Sequence, residues 1–277
     1  MTTSTRNQPL TIDDIARLAP SALAREASDG MSQRYTYIPT IEVINGMRDA
    51  GFLPFRATQS GTRDASRSEH TKHMIRFRHA ASLPSVAVGD SLVEVVLVNS
   101  HDGTSSYKLM AGIFRLVCCN GMVVSESMQD SIAVRHSGNV IAEVVKGSLR
   151  IAQNAPKILD TVQSWKSLQL SSGEQTALAE SAHLVRFGDA EGKVDTPITP
   201  AQLLQARRRD DNGADLWRTF NRIQENAVRG GLSAWGHDAN GHRRRTTTRE
   251  VKAIDQDVKL NRALWHLAER MAELKSA

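Results

Sequence analysis

The chain is short of almost everything that marks the common chemistries. Only two cysteines occur in 277 residues, and they are adjacent, Cys118 and Cys119. They exclude a disulfide framework and any four-cysteine metal site within one chain, and we expect two buried thiols in a reducing compartment. Aromatic residues make up 5%, so the core must be mostly aliphatic and any platform for stacking nucleobases must use few rings. No stretch approaches the roughly 20 consecutive apolar residues that span a bilayer. The polar, acid-containing start MTTSTRNQPLTIDD lacks the charged-then-apolar layout of a secretory signal. A cytoplasmic protein without membrane contact is therefore expected. No GKS or GKT occurs to end a phosphate-cradling loop, so there is no ATPase signature and no cofactor is expected.

What is present is ordinary in amount and uneven in placement. Hydrophobic residues at 40% and charged residues at 23% suit one large or two modest soluble domains. The net charge is +5 with a pI near 9.4. Residues 201–277 hold 15 Lys+Arg against 10 Asp+Glu, and the other 200 residues balance at 20 against 20. Within that balanced part, residues 56–79 carry Arg56, Arg63, Arg67, Lys72, Arg76 and Arg78 against only Asp64 and Glu69. A second basic cluster, Arg243, Arg244 and Arg245 with Arg249 and Lys252, lies more than a hundred residues away. Cations spaced along one strand face can neutralise successive phosphates and release counterions, giving salt-dependent, sequence-tolerant affinity.

Periodicity places these clusters on elements. Residues 12–26 open with a Thr11-x-x-Asp14 cap and a helical period broken at Pro20. A helix over residues 41–50 ends at Gly51. Residues 52–58 and 73–79 read as two strands around a long basic hairpin. Met74, Ile75 and Phe77 are set on one side of the second strand, and Arg76 and Arg78 on the other. Residues 92–99 and 106–116 read as further strands joined at His101-Asp102-Gly103, and Asn120-Gly121 as a tight turn. Residues 139–170 are helical with a kink at Pro156. The turn-rich stretch 188–200 reads as a linker, 215–228 and 254–274 as helices, and 230–248 as an irregular Gly- and Arg-rich loop.

The order of elements predicts an α+β fold, an antiparallel sheet with a long basic hairpin covered by helices on one face. The expected organisation is an N-terminal helical segment (1–30), a nucleic-acid-binding core (31–187), the linker (188–200) and a helical basic C-terminal region (201–277). The other sheet face, or the hairpin, should stay open for binding.

Competing constellations are incomplete. His70, His73 and His79 suggest a metal, but a spacing of three on a strand puts His70 and His73 on opposite faces, and no Cys or carboxylate cluster completes a site. Cys118 or Cys119 with His136 has the residue types of a nucleophile and base, yet both cysteines read as buried strand positions. Asp64, Glu69, Asp90 and Glu94 are the acids near the first basic cluster, at a spacing that is not diagnostic of a nuclease. Arg207-Arg208-Arg209 followed by Asp210-Asp211 reads as a self-neutralised surface face.

Four stretches carry a resemblance: YTYIPTIEVINGMRDAGFLPFRA, HTKHMIRFRH, FRLVCCNGMVV followed by VRHSGN, and DLWRTFNRIQENAVRGG. In this order they resemble the signature stretches of the phage/plasmid-like protein family (domain of unknown function 932), which is common on mobile elements. The match covers most of the chain from Arg34 onward, and the family supplies no settled activity. The topology is also similar to the core of single-strand annealing recombination proteins, oligomers that hold an unwound strand in a basic groove between hairpin and helix. That similarity implies phosphate contacts from Arg76, Arg78, Lys146 and Arg150.

The reading that follows is a non-catalytic, homo-oligomeric DNA-binding protein of a plasmid or phage, for which single-stranded DNA is the favoured partner in recombination or replication. The alternatives are a protein-interaction module, such as an inhibitor of a host defence system, and a nucleic-acid enzyme.

Overall fold

The computed structural model of the protein describes residues 8–28, 37–62, 64, 67–83, 91–115, 120–123, 132–134, 139–237 and 240–276, and of residues 120 and 121 the backbone alone. Arg63, Cys118, Cys119, His136 and Asp90 fall outside them. The chain divides into two compact units, Met1–Leu159 and Asp160–Ala277.

In the first unit, α1 (Ile12–Leu18) starts at a capping box. The Thr11 hydroxyl accepts from the Asp14 amide while the Asp14 carboxylate accepts from the Thr11 amide. A 3-10 turn begins at Pro20, and α2 (Thr40–Asp49) follows. Helix α2 stops at Gly51, whose φ of 84° only glycine adopts cheaply. Strands β1 (Phe52–Gln59), β2 (His73–His79), β3 (Ser91–Asn99) and β4 (Tyr107–Arg115) form an antiparallel meander. Its far edge is shared by β5 (Asn120–Val123) and β6 (Ile132–Val134), both paired with β4. Asn120 and Gly121 therefore belong to a strand, opposite Arg115 and Phe114, rather than to the expected turn.

Helix α3 (Val140–Ser167) runs through Pro156 as one 28-residue element, and the chain passes from the first unit to the second within it. One sheet face packs Phe52, Ile75, Phe77, Val95, Leu97 and Leu109 against Ile15, Val43, Ile44, Met47, Val140 and Val144 of the helices. Gly46 lets α2 approach α3 closely, since a Cβ there would lie 2.4 Å from Ile141 Cγ2.

The second unit holds the end of α3, α4 (Ser172–Phe187), α5 (Pro200–Leu203), α6 (Leu216–Arg229) and α7 (Ile254–Ser276), with a hairpin of β7 (Ser233–His237) and β8 (Arg243–Thr247). Its core is an aromatic cluster in which Trp165 lies 4.3 Å from Trp265 and 5.6 Å from Phe220 between ring centroids, and Trp217 stacks on Phe220 at 5.8 Å.

Segment 188–200 lies inside this unit. Ile198 is buried and its carbonyl meets His183 Nε2 at 2.7 Å, so the stretch packs with the helices instead of separating them. The N-terminal helical segment packs into the first core, where Ile15, Ala19 and Ala22 are buried.

Candidate nucleic-acid interface

The two basic clusters end up in opposite states. On β2 both faces are buried. Arg76 and Arg78, 1% and 3% exposed, sit on the sheet face that the alternation left open. Arg78 Nε donates to Glu94 Oε1 at 2.8 Å, and its guanidinium is sandwiched between the rings of Phe55 (4.2 Å) and Phe114 (3.9 Å). Arg76 Nη1 lies 3.4 Å from Glu94 Oε2 and donates to the Met122 carbonyl at 3.2 Å. Gly112 leaves room for it, because a Cβ would stand 3.1 Å from that nitrogen and 2.8 Å from Val96 Cγ2. These arginines are internal ion-pair partners and not surface phosphate contacts. The reason is Glu94, which supplies a buried counter-charge from the neighbouring strand.

The remaining cations of the first cluster are scattered. Arg56 is exposed opposite Arg76 at a bulge in β1. Arg67 reaches Asp102 at 3.5 Å, and Lys72 is half-buried. Lys146 and Arg150 are both exposed, one turn apart on α3, with exposed Lys157 two further turns along the same face.

Of the three histidines considered for a metal, only His73 belongs to a buried polar node, together with His101, while His70 and His79 are half-buried elsewhere. Thr40 Oγ1, at the start of α2, lies 3.0 Å from His73 Nε2, 3.0 Å from His101 Nε2, 3.1 Å from Tyr107 Oη and 3.2 Å from Asn99 Nδ2. Ser21 Oγ meets His73 Nδ1 at 3.2 Å, which ties the N-terminal turn to the sheet. Burial, reinforced by the neighbouring His101, pushes the His73 pKa down to about 3, so the ring is neutral. Among the described residues no group of His, Cys, Asp or Glu is arranged to hold a metal ion.

The second cluster stands outward. Residues 230–248, expected as an irregular loop, form the β7–β8 hairpin, in register from Ser233 opposite Thr247 to His237 opposite Arg243. Its base is closed by Gly230. At φ 65° this residue turns the chain out of α6 so tightly that a Cβ would lie 2.6 Å from the Arg249 carbonyl carbon. The Gly231 amide donates to the Thr248 carbonyl at 2.8 Å, and the Thr248 amide to the Leu232 carbonyl at 2.8 Å. Arg186 clamps the same base, donating to the Ala227 carbonyl at 2.9 Å and the Arg249 carbonyl at 3.2 Å.

Strand alternation then sorts the side chains. Ala234, Gly236 and Thr246 are half-buried on the inner face, where Gly236 leaves no space for a Cβ beyond 3.1 Å from Pro197. Trp235, His237, Arg243 and Arg245 share the outer face and are exposed, and Arg244 is also exposed. The Arg243 guanidinium lies 4.6 Å from the Trp235 ring centroid. No described carboxylate lies within ion-pair distance of Arg243, Arg244, Arg245 or Arg249.

Trp235 was not singled out by the sequence reading. The cue was available: alternation on both sides of Asn240-Gly241, a strong hairpin dipeptide. Three of the four tryptophans are 1–2% exposed, whereas Trp235 is 58% exposed. Chemically the outer face offers fixed positive charge and one flat ring, a surface suited to polyanions that carry aromatic bases.

Comparison with known proteins agrees with the motif resemblance. The chain is 42% identical over 266 residues to the UPF0380 protein YfjQ of Escherichia coli (strain K12), covering 96% of this chain and 93% of that relative. It matches the UPF0380 protein YafZ of the same organism with the same identity and coverage. No solved structure matches it. The family model described as Domain of unknown function (DUF932) matches residues 29–265. The chain therefore belongs to the DUF932 family.

Proposed function

We propose that the protein binds nucleic acid, single-stranded DNA before other forms, through the outer face of the β7–β8 hairpin. The observation that carries this reading is the pair Arg243 and Arg245 on the outer face, with Arg244 exposed between them on the other side of the strand, all without a described acidic partner, on a ribbon whose base is held by Gly230 and Arg186. A guanidinium binds phosphate as a two-pronged donor, and several on a short ribbon neutralise neighbouring phosphates with little side-chain reorganisation. Lys146 and Arg150 on α3 provide a further set of exposed cations in the first unit. The fuller reading places the protein, as a homo-oligomer, in the recombination or replication of a plasmid or phage. It is a binding reading with no chemical step.

The test is binding of the purified protein to a labelled single strand and to the matching duplex at two salt concentrations, with the mass in solution recorded. Replacing Arg243 and Arg245 together by Ala should lower single-strand affinity and reduce the slope of log affinity against log salt by about 1.4, since each single-strand phosphate contact contributes roughly 0.7. Arg76→Ala should act through stability instead. If neither nucleic acid binds at low salt, an acidic protein becomes the partner to seek.

A further inference from the structure

We infer that Trp235 is a base-stacking position and Arg243 its displaceable cover, so that the hairpin selects nucleotides whose bases are unpaired. This rests on the nucleic-acid reading of the hairpin and adds to it a substrate class and a role for each residue.

An indole 58% exposed is unusual in a chain that buries its three other tryptophans almost completely. It also faces away from the body of the unit, because the opposite face of the ribbon comes close to Pro197 at Gly236. Arg245 lies directly across from Trp235, and Arg243 two pairs nearer the tip on the same face, so the indole is flanked by two guanidiniums. Arg243 rests over it at 4.6 Å.

A cation over an exposed ring stabilises by only about two- to five-fold. A nucleobase stacked on an aromatic side chain contributes about five- to hundred-fold. An incoming base therefore takes the place of the Arg243 guanidinium on the indole. The displaced guanidinium keeps its charge and turns to the adjacent phosphate, so one residue covers the ring in the unbound protein and neutralises the backbone in the bound one. Bases within a duplex have both faces covered by their neighbours and cannot make the exchange. Without a nucleotide partner, Trp235 and Arg243 would be a solvated cross-strand pair that merely steadies the hairpin. The test separates the two.

Because the other tryptophans are buried, added acrylamide reaches mainly Trp235 and its quenching reports that ring. The full chain is titrated with oligo-dT of about 15 nucleotides, within the range of single-strand site sizes, with an abasic strand of equal length and charge, and with a duplex. Oligo-dT should protect Trp235 from acrylamide and bind at least about five-fold more tightly than the abasic strand. Trp235→Ala should bind both strands alike while melting like the wild type, and Trp235→Phe should restore most of the preference.

Equal affinity of the wild type for oligo-dT and the abasic strand, or an unchanged oligo-dT affinity in Trp235→Ala, would overturn the stacking role while leaving the charge reading standing. Protection of Trp235 by the duplex as complete as by oligo-dT would overturn the selection of unpaired bases. Failure of every strand to bind would remove the hairpin as a nucleic-acid site altogether.

Discussion

Glu94 is the residue on which the inside of the first unit turns. One carboxylate, 1% exposed, faces two buried guanidiniums, and removing one partner of such a set leaves uncompensated charge in a low dielectric. Glu94→Gln keeps the shape and deletes the charge. It should cost about 3–5 kcal/mol of stability, measured as a fall in the urea midpoint at unchanged slope, and an unaltered midpoint would show that Arg76 and Arg78 are balanced elsewhere. His73 makes a second prediction. Its folded pKa of about 3 lies below the unfolded value near 6.5, so at intermediate pH the unfolded chain binds the extra proton. The stabilisation it represents is complete above about pH 6.5 and is lost as pH falls toward about 3. Between pH 7.5 and 5 the loss should be about 2 kcal/mol, and His73→Gln should flatten that dependence.

Among the elements, the β7–β8 hairpin depends on two successive glycines in different ways. Gly230 needs both its positive φ and its missing Cβ, whereas Gly231, at φ 82°, has open space around it. Gly230→Ala should cost more than about 1 kcal/mol and lower oligonucleotide affinity with it, and Gly231→Ala should cost less. Calorimetric melting alongside binding checks the order. The same hairpin shows where sequence reading stops. The capping box at Thr11, the glycine stop after α2 and the dense β-branched run of β3 are local signals, and each element formed where they put it. Helix α4 also had such a signal, Ser171 with Glu174 three residues on, and it went unread. Arg76 and Arg78 misled because period-two alternation locates a face without saying whether that face meets water. The deciding fact, a carboxylate on the neighbouring strand, is a contact 16 to 18 residues away. In the hairpin the Gly and Arg content masked strands only five residues long.

At the scale of the whole molecule, the two compact units differ in what holds them together. The first is an aliphatic core between helices and sheet with a buried polar node beside it, and the second is an aromatic cluster among helices. No helix among the described residues is long and apolar enough to cross a membrane. The division has a spectroscopic consequence. All four tryptophans, Trp165, Trp217, Trp235 and Trp265, fall in the second unit, and all three tyrosines, Tyr35, Tyr37 and Tyr107, fall in the first. Each half of the chain thus carries its own natural chromophore. Tyrosine absorbance and tryptophan emission therefore report different halves of an unlabelled protein, and acidification from pH 7.5 to 5, which acts on His73, should move the unfolding transition seen in tyrosine absorbance.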